Sequence, residues 1–182
     1  MSSPDPRTLL RFAVAGGLAL LLTGCLRPVY GDLSQGGAPS KTVEGGNVAA
    51  RMKTVDVKAL EGRVPAKLRD ELIFMLRGGD GPGPVAYRLD VKLIESGQSA
   101  VVDPLTSVPQ SRTISLSATY TLTRAGTLDA VVTGNAFANA TYFGGLQRYA
   151  NIRAERDAEN RAALQIAERI KTRLQSYFAT GR

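Results

Sequence analysis

The residue whose type and position point most directly to chemistry is Cys25, the single cysteine in 182 residues. It closes the run Leu22-Thr23-Gly24-Cys25: an aliphatic residue, two small residues and a thiol. Such a run resembles a lipobox. The small pair lets the backbone enter a peptidase site, and the thiol can carry a thioether-linked diacylglycerol. The cut is expected between Gly24 and Cys25, leaving Cys25 as an N-palmitoyl, S-diacylglycerol anchor. With no second cysteine, a disulfide within the chain is excluded. The residues ahead of the motif fit this reading. Arg7 and Arg11 form a positive start, and Phe12 to Leu22 is an apolar run of eleven residues. That length suits a signal-peptide core. It falls short of the roughly 20 apolar residues that span a bilayer. Several acyl chains on one cysteine anchor stably where one chain is marginal.

Other chemistry is restricted by what is missing. Histidine is absent, which rules out Ser-His-Asp and Cys-His machinery and any His-ligated zinc site. No carboxylate pair stands out as a general acid and base. The chain is therefore expected not to be an enzyme and to hold no metal or other cofactor. Its formal charge is +7, and loss of Arg7, Arg11 and Asp5 with the leader leaves +6. A basic protein can favour nucleic acid, an anionic membrane surface or an anionic ligand. In an exported protein nucleic acid is the poorest of these, and charge that serves only solubility is the remaining alternative.

Three segments are expected: a leader over 1–24, a lipidated N-terminus and flexible tether over 25–50, and one folded domain over 51–182. Leu33 to Asn47 is rich in Gly, Ser and Pro without periodicity, as in a tether. Thr54 to Leu60 alternates and reads as a short strand. Arg63 to Arg77 reads as a helix, with Leu68, Leu72, Met75 and Leu76 on one stripe, Pro65 in its first turn and Gly78-Gly79 at its end.

Ala86 to Glu95 alternates again, Tyr87, Leu89, Val91 and Leu93 against Arg88, Asp90 and Lys92. Ser96 to Gln110 carries Gly97, Pro104 and Pro109 and is expected to be a long irregular connection. Arg112 to Thr123 is a third strand with Ile114, Leu116, Ala118, Tyr120 and Leu122 inward. Leu128 to Phe143 is a fourth, and its Val132-Gly134-Ala136-Ala138 side is small and weakly polar. Tyr149 to Phe178 is a long helix, with Ala154, Ala158, Ala162, Ile166, Ile170, Leu174 and Phe178 at near-fourfold spacing. The order β-α-β-β-β-α predicts an α+β, two-layer sandwich: a four-stranded, mostly antiparallel sheet covered on one face by two helices.

Several pieces in this order carry a family resemblance. Cys25-Leu26-Arg27-Pro28-Val29-Tyr30-Gly31 resembles the mature start of lipopolysaccharide-assembly lipoproteins of the LptE family, in their alphaproteobacterial form. There the cysteine is commonly followed by Gly-Phe-Arg-Pro-Leu-Tyr-Gly; here one Leu stands for the Gly-Phe pair. Leu68-Arg69-Asp70 before Leu72 resembles the family's Leu-Arg-Asn helix. Tyr87-Arg88-Leu89-Asp90-Val91 resembles its Tyr-x-Leu-x-Val strand. Arg112 sits where an Arg often enters the third strand. Tyr149-Ala150, Ala154, Asp157-Ala158 and Arg161-Ala162 resemble the start of the final helix.

The resemblance implies a non-enzymatic plug inside the large outer-membrane β-barrel, of the LptD type, that inserts lipopolysaccharide into the outer leaflet. It implies help in barrel assembly, binding of lipopolysaccharide, and a lipid-anchored place at the outer membrane, facing the periplasm and inside the barrel lumen. Leu26 in place of Asp favours the outer over the inner membrane, by similarity to lipoproteins of Gram-negative bacteria. Arg and Lys hold phosphate through charge-assisted hydrogen bonds. Arg88, Lys92, Arg112 and Arg124 are the candidate lipopolysaccharide contacts. A solvated face, or salt bridges to the barrel wall, is the alternative for the same four. The competing function is a lipid-trafficking lipoprotein subunit of an ABC-type envelope transport system.

Overall fold

The computed structural model describes residues 47–181 apart from 82, 103–108 and 145. The leader, Cys25 and most of the expected tether lie outside the described residues. Seven elements follow: α1 Val48–Lys53, β1 Val55–Val57, α2 Arg63–Arg77, β2 Tyr87–Val102, β3 Pro109–Arg124, β4 Ala130–Phe143 and α3 Arg148–Thr180. The strands form one sheet in the order β1-β2-β3-β4. β1 runs parallel to β2, and β2–β3 and β3–β4 are antiparallel. This is the expected α+β sandwich, with a third helix that the periodicity did not announce.

That extra helix, α1, is six residues long. Asn47 caps it, its side-chain oxygen accepting from the Ala49 N–H at 2.9 Å. Val48 and Met52 are buried, so the folded part starts before β1. Arg51 Nη1 donates to the Tyr87 hydroxyl at 2.9 Å, and the Tyr87 ring meets Phe178 edge-on at 5.1 Å. The first helix, the start of β2 and the end of α3 are thereby joined.

α2 has the boundaries its stripe predicts. Val64, Leu68, Leu72 and Leu76 are buried. Gly78 ends it in the left-handed region at φ 67°, its N–H donating to the Phe74 carbonyl at 2.8 Å, a conformation glycine adopts without a Cβ penalty. Arg77 pairs with Asp56 at 3.6 Å, and Arg69 Nε donates to the Val57 carbonyl at 3.2 Å. α2 is thus tied to the edge of the short β1.

β2 and β3 are longer than expected. The segment Ser96 to Gln110 is not an irregular connection: β2 continues through Gly97 to Val102, and β3 already begins at Pro109. Gly97 lies opposite Ile114 in unbroken register. Backbone pairing needs no side chain, and Pro is tolerated at the first residue of a strand.

The helix side of the sheet holds the core. Tyr87, Leu89 and Val91 of β2 and Ile114, Leu116, Ala118, Tyr120 and Leu122 of β3 are buried there. β4 contributes Val132, Ala136, Ala138, Ala140 and Tyr142. Its small side is therefore the covered one. The reason is α3, which lays Ala158, Ala162, Ala163 and Ala167 against it, all fully buried. Small residues on both partners allow close approach, and Ile166, Ile170, Leu174 and Phe178 continue the buried side of α3. Burial pushes the Tyr120 phenol above the usual tyrosine range, and the nearby Arg173 guanidinium acts in the opposite sense.

Candidate functional site

The helices cover one side of the sheet and leave the other open. Strand alternation sends every second residue to that open side. From β2 come Arg88, Asp90, Lys92 and Ile94. From β3 come Thr113, Ser115, Ser117, Thr119, Thr121 and Thr123. From β4 come Thr133, Asn135, Phe137, Asn139 and Thr141. All are exposed or half-exposed. The middle of the face is thus a field of hydroxyls and amides. Thr113 and Thr141 share a hydrogen bond across strands at 3.0 Å, and Thr123 Oγ1 donates to the Arg88 carbonyl at 3.4 Å.

One apolar row interrupts the field. Ile94 and Phe137 flank Ser117 on neighbouring strands and both are exposed. The Arg169 guanidinium lies over the Phe137 ring, 4.7 Å from its centre.

The outer edge of β4 is occupied. Arg161 Nη2 donates to the Thr141 carbonyl at 3.1 Å, and Arg169 Nη1 donates to the Phe137 carbonyl. Both arginines come from α3. A bare sheet edge invites pairing with another chain; here two helical cations occupy part of it. The face of the sheet opposite the helices stays uncovered.

The four basic candidates fall in different places. Arg88 and Lys92 share the open face, about 13 Å apart by strand rise. Between them Asp90 is held by Lys58 at 2.9 Å. Arg112 has the parity of Ile114 and so stands on the helix side. It lines a cleft of about 270 Å³ with Glu95, Gly97, Tyr142 and Glu155, and its Nε is buried without a hydrogen-bond partner among the described residues. Arg124 stands opposite Tyr87 at the other end of β3, also on the helix side and exposed. Twelve residues separate it from Arg112, about 40 Å along the strand. Arg88 and Lys92 are therefore neighbours, whereas Arg112 and Arg124 join neither them nor each other.

No group of three or more His, Cys, Asp or Glu placed to hold a metal occurs among the described residues. Among those same residues no helix is long and apolar enough to cross a membrane.

The model of the lipopolysaccharide-assembly family LptE matches residues 52–174, which runs from the end of α1 into the last turns of α3. No curated protein matches the chain. Among solved structures, the chain is similar to a candidate lipoprotein from Caulobacter crescentus CB15, at 24% identity and a TM-score of 0.61 over 73% of this chain and 96% of that one. It is also similar to the rare lipoprotein B from Shewanella oneidensis, at 12% identity and a TM-score of 0.51 over 68% and 92% of the two chains. These two likenesses concern the fold.

Proposed function

We propose that this chain, which belongs to the LptE lipopolysaccharide-assembly family, is a lipid-anchored outer-membrane subunit that seats its open sheet face against the inner wall of an LptD-type β-barrel. It supports assembly of that barrel, and it binds lipopolysaccharide on the way to the outer leaflet. Membership in the family supplies the general role in lipopolysaccharide assembly. The observation that supports the docking mode is the open face itself. A barrel interior is polar, and a surface of Ser, Thr and Asn with scattered charge is suited to lie against it. A helix-covered sheet with two arginines on the β4 edge offers that face more readily than pairing along β4.

Cys25 supplies the anchor, after a cut at Gly24-Cys25, and residues 25–46 tether the domain. Arg88 and Lys92 lie on the docking face, where they meet either lipopolysaccharide phosphates or acidic groups of the wall.

Two exposed residues at the centre of the face give the test. Ser117 and Thr119 are exposed in β3, so replacing both by Arg leaves the core untouched. In the docked state the two new cations would be enclosed without partners, which is strongly unfavourable. Co-purification of the barrel should fall at least about tenfold, while circular dichroism of the domain stays as in the wild type. Unchanged recovery of the barrel would remove this face from the interface.

A further inference from the structure

The junction between β4 and α3 carries large apolar residues that the core does not use. Leu146 is 88% exposed, Tyr149 74% and Ile152 41%. Three such residues lie within seven positions, and exposed apolar residues gathered in this way mark interaction sites. Tyr149, Ile152, Arg153 and Arg156 have i, i+3, i+4, i+7 spacing, so they share one side of the first turns of α3. The apolar end of this strip passes into a cationic one within about 10 Å, at 1.5 Å per residue.

At the cationic end is a cleft of about 470 Å³, lined by Arg63, Arg153, Arg156, Asp157 and Asn160. Most of these groups are already engaged. Arg63 pairs with Glu159 and donates to Asn160 at 3.3 Å, and Asp157 accepts from Arg161 at 2.8 Å. Arg153 and Arg156 are exposed and meet no partner among the described residues. The start of α3 adds to the positive character. Gln147 makes no side-chain cap, and the first turn holds no acidic residue, so its dipole is not countered locally.

The chemistry of the strip is that of an anionic amphiphile. We infer that the start of α3 binds the acylated, phosphorylated end of one lipopolysaccharide molecule. Acyl chains lie against Leu146, Tyr149 and Ile152, and a phosphate is held between Arg153 and Arg156. The inference rests on the reading that the chain binds lipopolysaccharide at all. It moves the phosphate contact away from Arg88, Lys92, Arg112 and Arg124. A guanidinium pair suits phosphate through charge-assisted bonds, and the neighbouring apolar side chains suit hydrocarbon.

The test uses the full lipidated chain in detergent and immobilised purified lipopolysaccharide. Three variants are compared: Arg153→Glu with Arg156→Glu; Leu146→Ser with Tyr149→Ser and Ile152→Ser; and Lys53→Ala with Arg173→Ala. All the replaced side chains are exposed, and circular dichroism reports whether each variant folds. The first two are expected to weaken binding about tenfold or more, and the third to change it little. If the wild type does not bind lipopolysaccharide, the underlying reading fails. If the wild type binds and the first two variants bind equally well, this inference fails and the reading stands. A parallel arm uses phosphatidylglycerol vesicles. Equal loss of vesicle binding in the first two variants would make the strip a bilayer contact and overturn the assignment to one lipopolysaccharide molecule.

Discussion

Replacing Cys25 by Ala is expected to abolish acylation of the protein completely and to halt removal of residues 1–24. The thioether can form only on a thiol, and the sequence holds no other cysteine. Each acyl CH₂ buried in the membrane contributes about 0.8 kcal/mol, so one chain anchors marginally and several anchor firmly. Wild-type protein grown with labelled palmitate should carry the label, partition into a detergent phase, and have a mass consistent with a chain that starts at a modified Cys25. The Cys25→Ala protein should carry no label and retain its leader. Label persisting on the variant, or a wild-type N-terminus elsewhere than Cys25, would contradict the anchor.

The largest effect expected inside the domain is that of Gly134→Val. Gly134 pairs with Tyr120 across β3–β4. A Cβ at Gly134 would come within 2.5 Å of the Tyr120 hydroxyl oxygen and 2.7 Å of its Cζ. The tyrosine ring therefore covers the space that a side chain would need. Tyr120 is itself buried, so it cannot swing into solvent without opening the core. Overpacking of this kind costs about 1–3 kcal/mol, a sizeable part of the roughly 5–15 kcal/mol that stabilises a domain. Thermal unfolding of the domain should start about 4 to 12 °C lower. Combining the change with Tyr120→Leu should shrink its cost, because the two sites are coupled through one space. An unchanged melting temperature in Gly134→Val would show that the ring does not occupy that space.

The sequence carried much of this architecture, for identifiable reasons. Arg63 to Arg77 is legible because Leu68, Leu72 and Leu76 repeat at helical spacing and Gly78 can take a left-handed conformation. The cores of β2 and β3 are legible because polar and apolar residues alternate strictly. α1 is not legible, since six residues with two apolar positions define no period. The sidedness of β4 is not legible either. Val131 and Phe137 on one side are as apolar as Val132 and Ala136 on the other. The alanines of α3, distant in sequence, decide which side is covered. The hairpin of β2 and β3 was obscured by Gly97 and Pro109, residues that usually mark loops but are tolerated here in a paired strand and at a strand start.

The candidate site was legible in part. Alternation alone places Arg88 and Lys92 on the open face. The same rule already assigns Arg112 and Arg124 to the helix side, because they share parity with Ile114 and Leu122. The apolar residues at the start of α3 carried a weaker signal. Tyr149 and Ile152 lie off the stripe that begins at Ala154, and two residues at a helix start define no period of their own.

We propose that this chain works as a partner of a lipopolysaccharide-inserting barrel. The most direct measurement is affinity purification of the full chain from detergent-solubilised membranes, followed by mass-spectrometric identification of what accompanies it. A large outer-membrane β-barrel protein, in near-equal amount and retained after a high-salt wash, is the predicted companion. Recovery of an inner-membrane ABC-type transporter in its place, or of no barrel at all, would contradict the account.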